Sequence, residues 1–218
     1  MPDAWVTLAL TLVIAVTVAA VALSRQFDPY NGWGLIASSA LPWVALAGWP
    51  LWVTARKGNG GRIDLGLQMT RAQLRVAVTA GFVAYAVGLI GAWVTTRLRG
   101  DFTSTAGDVG SRQQGLVLVV FALLAGFVAP VVEEIAFRGL LFGALCKRGT
   151  SPLFATLVSA LVFAAFHAEP ARIGILIALG IVLGEVRRRT GSTSAAIVTH
   201  MMNNIPAAAF LVLHSVHG

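Results

Sequence analysis

Two adjacent carboxylates and a guanidinium, Glu133, Glu134 and Arg138, stand inside the apolar run Pro130-Val131-Val132-Glu133-Glu134-Ile135-Ala136-Phe137-Arg138. An ionisable group at mid-membrane depth costs roughly 2.5 to 3.5 kcal/mol on insertion scales, so such groups persist where a site or a buried pair requires them. At about 100° per residue, Glu134 and Arg138 share one helix face and can neutralise each other, while Glu133 is turned away. An unpaired carboxylate in a low-dielectric cavity is suited to general acid or base work. On this stretch alone, a purely structural Glu134/Arg138 pair with Glu133 facing a polar cavity stands level with that reading.

Later apolar runs carry His167, His200 and Asn204. Counted at about 1.5 Å per residue from Lys147 and Arg148, Glu133 and His167 both lie roughly 20 Å into the membrane, on antiparallel neighbours. Counted from Arg189, His200 and Asn204 lie roughly 15 to 22 Å in, four residues apart on one face. Each has a plainer reading: His167 as a packing histidine, His200 and Asn204 as hydrogen-bonding glue between helices, Phe163 as packing. Together they form a cluster that packing alone does not need. A carboxylate and a histidine can activate one water while a second histidine and an amide donate to the oxyanion of a tetrahedral intermediate. The same groups could ligate zinc. No His-Glu-x-x-His and no Gly-x-Ser-x-Gly occurs, and Asp64, Asp101 and Asp108 fall in loops, which disfavours serine and aspartyl mechanisms.

The elements that must carry these residues are transmembrane helices. Hydrophobic residues make up 57% of the chain and charged residues 11%, against roughly 25% charged in a soluble domain; mean hydropathy is +0.80. The chain reads as an all-α polytopic membrane protein, a bundle of seven to eight transmembrane helices forming a single transmembrane domain over 1–218. The net charge of +7 sits in short loops between apolar runs, where it signals topology and not nucleic acid. Cys146 is the one cysteine, which excludes an internal disulfide or a thiolate cluster. Asp3, with no Lys or Arg before the first apolar run, fits no signal peptide, so that run is read as an uncleaved span.

Spans are expected at about Ala4 to Leu23, Leu35 to Thr54 (bent by Pro42 and Pro50), Val76 to Thr96, Gly115 to Arg148, Pro152 to His167, Ile173 to Val186, and from Ser192, Thr193 or Ser194 to Leu213. Gly115 to Arg148 reads either as one long helix kinked at Pro130 or as two helices meeting near the acidic pair. A basic loop from Arg56 to Arg75 has room for a short interfacial helix. Gly139-x-x-x-Gly143 and Gly180-x-x-x-Gly184 read as close-approach surfaces between helices. The threading puts Arg56, Lys57, Arg62, Arg71, Arg75, Lys147, Arg148 and Arg187 to Arg189 on one side, against Arg25, Arg97, Arg99, Arg112 and Arg172 on the other. That bias predicts a multi-pass protein of the plasma membrane with a cytoplasmic N-terminus.

Three motifs in order resemble those of the type II CAAX prenyl endopeptidases and their bacterial relatives, the CPBP intramembrane metalloproteases. Glu133-Glu134-x-x-x-Arg138 is similar to the family's Glu-Glu-x-x-x-Arg, Phe163-x-x-x-His167 to its Phe-x-x-x-His, and His200-x-x-x-Asn204 to its His-x-x-x-Asn/Asp. The likeness covers about 115–213; the earlier spans match only as hydrophobic helices. It implies endoproteolysis of a membrane-associated peptide or protein, a prenylated CAAX-type protein being one substrate class. Glu133 and His167 would activate water, His200 and Asn204 would hold the oxyanion, and Glu134 and Arg138 would support the site. The family is called metalloprotease, yet the motifs equally allow a metal-free glutamate mechanism, so the cofactor reading stays open between none, which is favoured, and zinc on Glu133, His167 and His200. Family members are eight-helix bundles, one helix more than is read here. The partners expected are the substrate and the lipid bilayer, with no nucleic acid. Two rival readings are a non-catalytic scaffold or bacteriocin self-immunity relative, and a small transporter using the cluster as an ion site. The intact motif set disfavours the first, and the lack of a second half with matching broken helices the second.

Overall fold

In lipid every backbone amide must be satisfied within the chain, which leaves helices as the economical solution for apolar runs of this length. The computed structural model describes residues 30–101 and 103–217 and, before them, residues 6, 7, 9–14, 17 and 28. The span expected at Ala4 to Leu23 lies largely outside the described residues. Among the described residues there is no strand. The protein is an all-α polytopic membrane protein. Its helices are α1 (Gly32–Lys57), α2 (Gly61–Asp64), α3 (Arg71–Arg99), α4 (Thr105–Ser111), α5 (Gly115–Lys147), α6 (Pro152–Phe166), α7 (Ile173–Thr190) and α8 (Thr193–His217). Helices α1, α3, α5 and α8 are long and apolar enough to cross a membrane. The shorter α6 and α7 pack between them.

Helix α5 is the centre. Its mean hydropathy over the most apolar window is 2.7, and 39% of that window is buried, against 17% for α3 and α8. The other long helices turn Phe82, Ile90, Trp93 and Phe210 outward, each more than 60% exposed, as lipid-facing residues should be. The alternatives left open for 115–148 resolve to one continuous helix, widened twice into π turns at Leu124–Val128 and Ile135–Leu141. Prolines account for the first. Ala129 N–H reaches back to Leu124 O, and Pro130, which follows, has no N–H to continue the ladder. In α1 the distortion likewise falls between Pro42 and Pro50, as a π turn at Val44–Gly48.

Helix α3 starts five residues before the expected Val76. Thr70 and Gln73 form a capping box: the Thr70 hydroxyl accepts from Gln73 N at 3.3 Å, and Gln73 Oε1 accepts from Thr70 N at 2.6 Å. Arg71 and Arg75 therefore ride on the first helical turns rather than in a loop. Ser151 caps α6 as expected, accepting from Phe154 N at 3.3 Å. Arg187 to Arg189 lie within the last turn of α7, which ends at Gly191 in a left-handed conformation (φ 67°).

The connections gather at two ends. At one, Lys147 meets Asp64 at 3.2 Å, Gln73 Nε2 donates to Thr190 O at 2.7 Å, and Thr193 N donates to Gly66 O at 2.9 Å. At the other, Gln113 accepts from Gly32 N at 2.9 Å, and Glu169 accepts from Thr105 N at 3.1 Å. The basic residues of the sequence-based threading cluster at the first end, and the loop residue Leu65, 1% exposed, plugs into the core there.

The two glycine pairs behave differently. A Cβ on Gly180 would meet Ala160 Cα and Cβ at 2.9 Å, and one on Gly184 would meet Thr156 Cγ2 at 2.8 Å, so α6 and α7 do touch backbone to backbone. Gly139 instead packs on Leu65, and a Cβ on Gly143 would have only Asp64 O at 3.9 Å. That pair faces the α1–α3 loop and not a helix. Gly180→Ala is expected to lower stability, because overpacking of about 1–3 kcal/mol outweighs the gain of roughly 1 kcal/mol in helix propensity. Gly143→Ala should be neutral or stabilising, and thermal unfolding of the two purified variants checks the opposite signs.

Candidate active site

The site is built where α5, α6 and α8 converge. Four residues after Glu134, Arg138 folds back onto it, with Nη1 donating to Glu134 Oε1 at 2.9 Å and both side chains fully buried. Nη2 donates to Gly180 O at 2.8 Å, and the guanidinium lies 4.8 Å from the centroid of Phe163. Arg138 Nε and Glu134 Oε2 have no hydrogen-bond partner.

Helix α8 contributes His200, 2% exposed. Its Nδ1 lies 3.0 Å from Glu134 Oε1. A carboxylate only accepts, so Nδ1 carries the proton and Nε2 presents a lone pair. That Nε2 is 3.9 Å from Glu133 Oε2. The separation is too long for a hydrogen bond and short enough for one water to bridge. Glu133 is also the more open of the two carboxylates, at 18% side-chain exposure against 0% for Glu134. The divergence of the two glutamates expected from helix geometry is what the structure shows.

His167 sits just past the last turn of α6. Its Nδ1 lies 2.8 Å from Phe163 O, an acceptor, so here too Nδ1 carries the proton and Nε2 is left free. Its ring lies tilted against Phe163 at 4.6 Å, and the Phe163 ring also meets His200 at 5.8 Å and Phe137 edge-on at 5.5 Å. Phe163, read from sequence as simple packing, is a fully buried hub touching three of the motif residues. His167 is not within ion-pair distance of Glu133; the histidine beside Glu133 is His200.

Ala168, immediately after His167, has φ of 51°. A non-glycine residue in the left-handed region stores about 1–2 kcal/mol, here in the turn that orients His167. Ala168→Gly is expected to raise the melting temperature or leave it unchanged, since relief of that strain roughly balances the added freedom of the unfolded chain; a clear fall would contradict it.

Asn204, one turn beyond His200, donates from Nδ2 to Ala125 O at 3.1 Å and accepts from Asn203 Nδ2 at 3.0 Å. Ala125 O is the carbonyl that Pro130 cannot reach in the π ladder, so the amide repairs the break. One Nδ2–H remains free. Two contributors had no sequence signal: the Ala125 carbonyl, and Arg187, whose Nε donates to Arg138 O at 3.1 Å and holds the second π turn from α7.

Both imidazoles are oriented as metal ligands are, with Nδ1 tied back and Nε2 free. Among the described residues, however, no three His, Cys, Asp or Glu are gathered into a metal-holding group. Glu133, His167 and His200 as they stand do not fit a preformed three-ligand zinc centre.

A carboxylate and an imidazole lone pair 3.9 Å apart inside a helical membrane bundle are groups that can share and activate one water. Residues 115–206 match the family model for the type II CAAX prenyl endopeptidase Rce1-like proteins. Over 82 residues, 38% of this chain, the sequence is 33% identical to the Bacillus subtilis (strain 168) protein named "Putative membrane peptidase YdiL"; the match spans a third of that relative's length. No solved structure matches the chain. Over this segment the chain is similar to both, and the stretch matched by the family model ends at 206, seven residues short of the limit read from the motifs.

Proposed function

We propose that the protein is an intramembrane endopeptidase that hydrolyses a peptide bond in a membrane-associated substrate, with prenylated CAAX-type proteins as one substrate class. The observation that carries the proposal is His200 bridging the two glutamates, with Nδ1 on Glu134 and Nε2 facing Glu133 across 3.9 Å. Water in that gap can donate to both. In the proposed reaction Glu133 takes a proton from the water as its oxygen bonds to the scissile carbonyl carbon. The resulting oxyanion accepts from the free Nδ2–H of Asn204, with His200 beside it. Glu133 then passes its proton to the leaving amine as the C–N bond breaks. His167, with Nε2 unprotonated, is a second acceptor for the reaction, and Arg138 with Glu134 fixes the tautomer and position of His200. Each step runs on side chains of this chain without a cofactor. The substrate reaches the site from the bilayer of the plasma membrane, with the N-terminus and the basic end cytoplasmic; no nucleic acid partner is involved.

Cleavage of a library of membrane-tethered fluorogenic peptides by the purified protein, with and without a strong chelator, tests the reading. We expect at least one peptide to be cut, with a rate unchanged by chelator and lost in His200→Ala. Loss of wild-type activity on chelation, restored by zinc, would overturn the cofactor-free mechanism. Failure to cut any peptide would overturn the endopeptidase reading in favour of a non-catalytic one.

A further inference from the structure

A cavity of about 420 Å³ opens at the basic end of the bundle, with neither glutamate among its lining residues, bounded by the end of α1, the α2 loop and the last turns of α5. Its rim carries Lys57, Lys147 and Arg148, with Asp64 the one acidic group among its lining residues. Asp64 is already engaged: it accepts from Asn59 N at 2.6 Å and pairs with Lys147 at 3.2 Å. The Asn59 amide chiefly, and then Lys147, hold its carboxyl below the usual carboxylate range. The side chains of Lys57 and Arg148 have no hydrogen-bond or ion-pair partner among the described residues, which leaves the rim with a surplus of positive charge.

Below the rim the wall turns apolar. Ala144, Leu140 and Gly139 line it down α5. Gly139 is eight residues from Lys147, so the apolar wall descends about 12 Å. The floor is open where Gly143 has no side chain; a Cβ there would meet nothing nearer than Asp64 O at 3.9 Å. A basic rim over an apolar shaft at a membrane face matches an amphiphile with an anionic head, the pattern of basic pockets between transmembrane helices that hold acidic lipids. Volume separates this from a free anion. A phosphate ion, about three water volumes of roughly 30 Å³ each, would fill under a quarter of the cavity.

We infer that this cavity is a binding site for the phosphate headgroup of an anionic phospholipid, with Lys57 and Arg148 contacting the phosphate and the α5 wall receiving the glycerol and first methylenes. The inference is independent of the peptidase reading, and its test reads binding and not cleavage.

The test is thermal unfolding of the full chain purified in an uncharged detergent, titrated separately with phosphatidylglycerol, phosphatidylcholine and sodium phosphate. The variants are Lys57→Gln with Arg148→Gln, Gly143→Leu, which fills the cavity without touching a charge, and Arg97→Gln with Arg99→Gln at the opposite end. The expected result is a rise of about 3 °C or more for wild type with phosphatidylglycerol alone. That rise should at least halve in the first two variants and stay intact in the third. The unliganded melting temperature of each variant shows that it is folded, and Gly143→Leu keeps the test valid if the double charge variant is not. An equal rise with sodium phosphate would overturn the lipid assignment in favour of a free-anion site. A rise with phosphatidylglycerol that persists in Gly143→Leu, or that is lost in the Arg97/Arg99 variant, would overturn the cavity as its location.

Discussion

Glu133→Gln is expected to lower kcat for peptide cleavage by about 10²–10⁴-fold, the range for loss of a general base, while KM stays within a few-fold of wild type. The amide keeps the size and the hydrogen-bonding capacity of the carboxylate but cannot take a proton from water. Its fold should be undisturbed, because the Glu133 carboxylate comes no nearer to His200 than 3.9 Å, beyond hydrogen-bond distance, and is 18% exposed. Melting temperature is the control: it should match wild type, so that the loss is read as chemistry. Substitution at the adjacent position should separate the two roles. Glu134→Gln removes the charge that holds both Arg138 and His200, and it is expected to lower stability as well as rate.

Arg138→Met is expected to have the largest effect on stability, a loss of about 3–5 kcal/mol, because removing one member of a buried pair leaves its partner's charge uncompensated. Arg138 is fully buried, and its loss would strip Glu134 of an ion pair at 2.9 Å and Gly180 O of a donor at 2.8 Å. Methionine has nearly the right length and fills the space, so a cavity contributes little. For a chain of this size the fall in melting temperature is on the order of 10 °C. The double variant Arg138→Met, Glu134→Gln should recover part of it, since the stranded carboxylate is gone. Equal melting temperatures for single and double variants would show that the pair is not what the charge is there for. Lysine is not expected to substitute, since one ammonium cannot reach Glu134 and the Gly180 carbonyl in the guanidinium's planar fork geometry.

What the sequence revealed and what it withheld divide along a physical line. Glu134 with Arg138, and the opposite turning of Glu133, follow from the helical period alone, because partners four residues apart need no tertiary information. The N-cap at Ser151 and the six described bundle helices follow from local patterning of the same kind. Thr70-Arg71-Ala72-Gln73 carried an equally local signal, a capping box, but the two arginines beside it read as loop charge. The contact of His200 with Glu134 spans 66 residues. It depends on how α8 is rotated against α5, which hydropathy does not encode, so depth counting brought His200 to the right level without choosing its partner. It also paired Glu133 with His167 where the structure places His200 nearer. The bond from Asn204 to Ala125 was further out of reach, since it exists only because a π turn leaves that carbonyl without a donor. Gly139 and Gly143 resembled a helix-packing pair, yet Leu65 from a loop occupies that surface. Spacing of small residues says that something comes close, not what it is.

Water held between Glu133 and His200 is proposed to cut a peptide bond. Mass spectrometry of a membrane-tethered peptide incubated with the purified wild-type protein, and in parallel with Glu133→Gln, tests it most directly. Two fragments are expected from the wild type, with masses that sum to that of the substrate plus one water, and intact peptide from the variant. Equal cleavage by both proteins, or peptide that is bound by the wild type and recovered whole, would contradict it.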